Sequence, residues 1–477
     1  MCWQSRTGRV WAGLLVIPLF AAPQPVEQRP LLPPAIEPAF AIAMAAPAEV
    51  GASALLRLAP FAAAPARRDL LAMAFQLGAK AQHPVRLLAF PGVEATSTAS
   101  TASALEMGLD RLTLQSQAVQ NMAAVDGPRA RELFSAIAKP APDAVGCEGS
   151  LLPDLNPYYE ALMALAMTSF SQDERNRGEP VKFIAAGFGS VLTLADLAPA
   201  SRMLAALNLP AADFQPLLTA LAAKLDTVPN DARAFLFFSK TIDSAMNLLA
   251  TYARRNSASP DALVDAYRRL LLRQFRGPHC VDGGARPAQI GQQAALFGES
   301  LRGQRPAIDI AEMTLPMMEG EMKLDRYWQN DAAKQVYQQA MRLRQGPEGG
   351  AIADPARKAA EWKRQLTDFL NYLPSAWLSD GASDEDHFHQ QAILYESLCE
   401  GLPDGELSDL AIQRFVAFLQ ASSLSRQNVA EWLWRARSMG SRVEASHPDR
   451  AARLLAEYRG SGNFILMLEA LLRQTAH

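Results

Sequence analysis

The feature that most constrains this chain is a pair of apolar stripes between Pro229 and Pro278. Phe235, Phe238, Ile242, Ala245, Leu249 and Tyr252 recur every three or four residues, which places them on one face of a helix. Val264, Tyr267, Leu271 and Phe275 form a second stripe with its own punctuation. Ser259 can cap it, Pro260 suits its first position, Asp261 complements its positive end, and Gly277-Pro278 stops it. Each rod has one greasy side that must be buried, and the simplest partner for each is the other.

The same period predicts helices over 67–81, 103–123, 128–138, 156–171, 180–194, 198–208 and 211–226. Beyond the central pair, it predicts them over 327–345, 355–373, 384–400, 405–420, 427–439, 448–458 and 463–474. A Ser/Thr-rich stretch at 91–103 is expected as a loop. Alanine and leucine outweigh the β-branched residues, and 49% hydrophobic against 20% charged residues is ample for a core. The expected fold is all-α, an irregular array of antiparallel helical pairs in two packed units, with solenoid-like stacking as one form of it. The segments align at no fixed period.

Organisation follows from the breaks. Residues 1–22 carry Arg6 and Arg9 ahead of a short apolar run, the order of a secretory signal, and 23–65 is a Pro/Ala-rich leader expected to be extended. An N-terminal helical unit over 66–280, a glycine-rich connection over 281–310 and a C-terminal helical unit over 311–477 complete the division. No stretch after the first segment reaches 18 uninterrupted apolar residues, so the body is not expected to span a membrane. The location that follows is exported, periplasmic or extracellular, the alternative being a tether formed by an uncleaved N-terminal segment. A net charge of -3 offers no overall attraction to nucleic acid, and none is expected as a partner.

Several clusters carry chemistry in principle. Asp384, Asp386, His387 and His389, with Glu385 among them, have metal-ligand identities. On a helix, however, residues two apart point about 200° from each other, so the two histidines would not share an ion. Helix capping by Ser383 and the acids accounts for the same residues. No metal or other cofactor is therefore expected. Arg254, Arg255, Arg268, Arg269, Arg273 and Arg276 form a basic face suited to an acidic partner, or to helix C-termini.

Trp432 and Trp434 are two apart and should diverge, one of them towards a binding surface. Glu312, Glu319, Glu321 and Asp325 are acid/base candidates by clustering alone. Cys147 and Cys280 both sit in breaks and are the pairing to test for a disulfide. Gly187-Phe188-Gly189-Ser190 lacks the spacing of a phosphate loop and suits a helix break or a tight helix crossing instead. The chain has no GxSxG or HExxH signature. Two functions fit: a non-catalytic extracytoplasmic interaction or scaffold protein with a protein or peptide partner in the cell envelope, or a helical hydrolase or lyase acting on an envelope polymer through carboxylates.

Overall fold

The structure, a computed structural model, describes residues 32–89, 97–140, 151–189, 192–230, 232–275, 328, 331–347, 355–376, 384–422 and 429–475. Within them the chain is all-α, apart from a short antiparallel pair, β1 (Leu87–Ala89) with β2 (Leu151–Pro153). The first helices are α1 (Glu37–Ala45), α2 (Ala48–Leu58), α3 (Ala64–Gly78), α4 (Ser97–Leu105), α5 (Arg111–Ala123), α6 (Gly127–Ser135) and α7 (Asn156–Thr168). Then come α8 (Gln172–Asn176), α9 (Glu179–Gly187), α10 (Leu194–Ala206), α11 (Ala211–Leu225), α12 (Ala232–Arg255) and α13 (Asp261–Phe275). The last are α14 (Asp331–Arg344), α15 (Pro355–Tyr372), α16 (Asp384–Gly401), α17 (Glu406–Ala421), α18 (Val429–Ser446), α19 (Pro448–Gly460) and α20 (Phe464–Thr475). No helix among the described residues is long and apolar enough to cross a membrane.

The two reference stripes are buried, with Phe235, Ile242, Leu249, Leu271 and Phe275 fully out of water. Their partners differ from the expected ones. Helix α12 lies chiefly along α10 and α13 along α11, while contact between α12 and α13 is slight. Hydrogen bonds join these alternate helices at a nearly constant offset. Ser201 meets Met246 and Leu207 meets Tyr252, both 45 residues apart. Gln215 meets Ser259 at an offset of 44, and Asp226 meets Arg269 at 43. Because the partners rise together in number, α10 and α12 run parallel, as do α11 and α13. The same relation returns later, where Asp409 on α17 meets Arg453 on α19, 44 residues on.

Three expectations near the N-terminus are corrected. The leader is not extended from Glu37 onward: α1 and α2 are helices with Ala39, Ala43, Val50 and Leu55 buried. Its prolines are helix-start residues, Pro38 within the first turn of α1 and Pro47 capping α2, where no backbone N–H is missed. A Cβ on Gly51 would stand 2.5 Å from the Ala43 carbonyl oxygen, so α1 and α2 meet as closely as backbones allow. The single helix expected at 103–123 is two, because Gly108 takes φ +68 and Asp110 caps α5 by accepting from the Thr113 N–H at 2.9 Å. Part of the expected Ser/Thr-rich loop is α4.

Chain ends meet. Helices α1 and α2 lie against α20, and Arg57 pairs with Glu469 at 3.3 Å. Helix α4 lies mainly against β1 and α18. Gly187 fulfils the tight-crossing expectation, since a Cβ there would fall 2.5 Å from a Leu162 methyl carbon.

Candidate functional site

Helix α16 presents two different faces. Glu385, His389 and Glu396 lie towards α18, at positions i, i+4 and i+11. Helix α18 answers with Glu431, Arg435 and Arg442 at the same spacing. The partners ascend together along both helices, so α16 and α18 are another parallel, alternate pair. The remaining face of α16, with Asp384, His387, Phe388, Gln391 and Tyr395, borders a cleft against α17.

The seam between α16 and α18 can be followed proton by proton. Arg435 Nε and Nη2 lie 3.3 and 3.1 Å from His389 Nδ1. A guanidinium only donates, so Nδ1 must accept and the imidazole proton sits on Nε2. From there it is donated to Glu431 Oε2 at 3.0 Å. Burial, and after it the Arg435 charge, pushes His389 down to about 3, which keeps the ring neutral. Arg435 also donates to Glu396 at 2.9 Å, Arg442 pairs with the same carboxylate, and Arg442 Nε reaches Glu400 at 2.9 Å.

Glu385, half-buried, is pushed up to about 8, first by its hydrogen bond with Glu431 and then by burial. It therefore carries a proton at neutral pH and shares it with Glu431. Oε1 of Glu431 is buried and has no hydrogen-bond partner among the described residues.

One donor atom each from Glu385, His389 and Glu431 lies within 4.8 Å of the others, a spacing suited to a divalent cation. The donor chemistry does not fit. Ligation through Nε2 would move the imidazole proton to Nδ1, where it would face the N–H groups of Arg435. This cluster holds a proton in preference to an ion.

The cleft between α16 and α17 has a volume of about 550 Å³. Phe388 and Phe418 both line it and stack on each other with centroids 5.2 Å apart, Tyr395 lies 5.2 Å from Phe418, and Ala417 and Ala421 leave room on the α17 side. Tyr395 is wholly buried, yet its hydroxyl has no hydrogen-bond partner among the described residues. Burial pushes that hydroxyl up to about 12, so it stays a donor at every physiological pH. Arg414, exposed on α17, borders the same cleft and donates to Asn371 at 2.7 Å.

The sequence candidates distribute as follows. His387 and His389 diverge, one bordering the cleft and the other in the seam, so they share nothing. Asp384 is exposed and Asp386 half-buried, and neither belongs to the buried donor cluster. Of the basic face, Arg269 and Arg273 grip Asp226, and Arg273 also donates to the Leu225 carbonyl at 2.8 Å, satisfying the end of α11. Arg254 and Arg255 are exposed and Arg268 is half-buried.

Trp432 and Trp434 diverge as expected. Trp432 is core and donates to the Leu419 carbonyl at 3.0 Å, while Trp434 is half-buried with the Arg435 guanidinium 4.1 Å above its ring. Cys399 is buried, and burial pushes its thiol up, away from the reactive thiolate. Glu312, Glu319, Glu321, Asp325, Arg276, Cys147 and Cys280 lie outside the described residues, as do the signal segment and the 281–310 connection.

Sequence reasoning missed Glu431, Arg435, Glu396, Tyr395 and Arg414. The signal that could have found the seam is the repeated i, i+4, i+11 spacing of ionisable residues on the two helices. Compared with protein-family models, with curated proteins and with solved structures, the chain matches none.

Proposed function

We propose that this is a non-catalytic interaction protein acting outside the cytoplasm, and that the cleft between α16 and α17 receives its ligand or a short segment of its partner. The observation that carries this reading is a concavity of about 550 Å³ walled by stacked aromatic rings and bordered by a few polar groups. Behind it, a cluster of ionisable groups is turned inward and paired within itself, which suits a scaffold more than a reaction centre. The export-like composition of residues 1–22 supports the location.

The test is a thermal-shift and calorimetric screen of small apolar-bodied molecules against the full chain, followed by Ala417→Trp. Saturable binding that the bulky indole abolishes is the expected result. Binding that Ala417→Trp leaves unchanged would move the site elsewhere. For the location, an alkaline phosphatase fusion to the first 65 residues should be active only if they direct export.

A second reading, an acid/base enzyme acting on an envelope polymer, is favoured by one observation. Glu385 is half-buried and holds its proton up to about 8, as a general acid must. Polymer cleavage lost in Glu385→Gln, with the fold intact, would replace the first reading by this one.

A further inference from the structure

We infer that the occupant of the α16–α17 cleft is an apolar-bodied molecule with a single anionic head, a carboxylate being the group that fits. This rests on the binding reading above and adds the chemistry of the ligand. The cleft supplies two kinds of wall. Phe388, Phe418 and the Tyr395 ring offer flat apolar surface, and Ala417 offers space rather than polarity. An aromatic or aliphatic body gains there by leaving water.

The head is assigned by what the cleft leaves unmet. Tyr395 lines the cavity, and its hydroxyl is buried and has no acceptor among the described residues, a condition that costs free energy until something supplies an oxygen. A bound neutral hydroxyl or amide could supply that oxygen as well as an anion could. The discriminating group is Arg414, whose charge acts on the Tyr395 hydroxyl and which borders the same cavity. An uncharged donor beside a guanidinium presents a carboxylate with two complementary contacts, and hydrogen bonds that involve a charged group are about twice as strong as neutral ones. Arg414 gives one N–H to Asn371, and a guanidinium has five to give. Asp384 is the counterweight at the cleft, an acid that disfavours a second negative charge on the ligand, so the head is a monoanion.

The experiment uses isothermal titration calorimetry on the full chain with two matched pairs, 4-phenylbutyrate against 4-phenylbutyramide and octanoate against octanamide. Each acid should bind about 10-fold more tightly than its amide, the factor carried by one charge-assisted contact. Arg414→Gln should bring acid and amide to the same affinity. Tyr395→Phe should weaken the acid and the amide together, by about 3- to 10-fold, because both supply an oxygen to the hydroxyl. Circular dichroism of each variant checks that the helices persist. Tyr395→Phe removes only an unpaired oxygen and should fold at least as well as the parent.

Equal affinity of acid and amide in the parent chain, or an acid preference that survives Arg414→Gln, would overturn the anionic head and leave the binding reading standing. Saturable binding of neither class would overturn both.

Discussion

Two stacks of alternate helices in this molecule solve one problem in opposite media. Helices α11 and α13 run parallel and are tied by Asp226 to Arg269 and Arg273, all three in contact with water. Helices α16 and α18 also run parallel, but Glu396 and Arg435 between them are 4% and 2% exposed. The chemistry is the same, carboxylate to guanidinium. What differs is the alternative open to each charge once the pair is broken. In the first stack water replaces the partner, whereas in the second Glu396 keeps only Arg442 and the buried guanidinium of Arg435 meets no water. The buried seam therefore fixes which residues of α16 face α18, and so which face of α16 is left for the cleft. The exposed pair trims a helix end.

The largest expected effect lies in the buried stack. Arg435→Ala strips His389 and Glu396 of a donor at once and should cost about 3–5 kcal/mol in urea denaturation. A loss below roughly 1 kcal/mol would mean that water enters the seam, and the contrast between the two stacks would fail.

Next comes pH, which separates the proton-sharing groups. Glu385 keeps its proton in the folded chain up to about 8 but releases it near 4.5 when unfolded. Across that interval the native state binds more protons, so Glu385 contributes stability that disappears as pH rises. His389 works the other way, neutral in the fold down to about 3 while its unfolded form takes up a proton near 6.5. Its contribution is present above 6.5 and is lost as pH falls. Of these two, only Glu385 acts between pH 6.5 and about 8, and its contribution makes stability fall with rising pH there. Glu385→Gln, which cannot ionise, should flatten that slope; a slope unchanged in the variant would place the shared proton elsewhere.

The smallest effect belongs to the exposed stack. Asp226→Asn should cost no more than about 1 kcal/mol, and the difference should shrink at about 1 M salt, where screening reaches a few ångströms. A salt-independent loss as large as that of Arg435→Ala would erase the distinction.

Much of the fold could be read from spacing. The stripes on α12 and α13 and the punctuation around Pro260 specify helices whatever packs on them, because one greasy side has to leave water. Misreadings cluster where a residue's meaning depends on its neighbours. Pro38 and Pro47 look like an extended leader until they are seen opening helices, and Gly108 interrupts a stripe whose apolar residues run on through it. The candidate site was half visible. His387 and His389 were rightly separated by helical geometry, but the partner of His389 lies 42 residues away on Glu431. No local pattern names a partner at that distance. Tyr395 was indistinguishable from any other core ring, since a hydroxyl lacking an acceptor is a property of its surroundings.

By itself the sequence determined that these segments are helices and which side of most of them is dry, because periodicity and capping are local and act before any contact forms. Tertiary structure decided the rest: that each reference helix lies along the second one before it rather than its neighbour, at offsets of 43 to 47 residues. It also decided that His389, Glu431, Arg435 and Glu396 would meet out of water beside a protonated Glu385, and that Tyr395 would line a cleft. The physical reason is that a stripe states how much surface must be buried but not against what, and the choice of partner falls to shape and to the pairing of charges that only meet once the chain is folded.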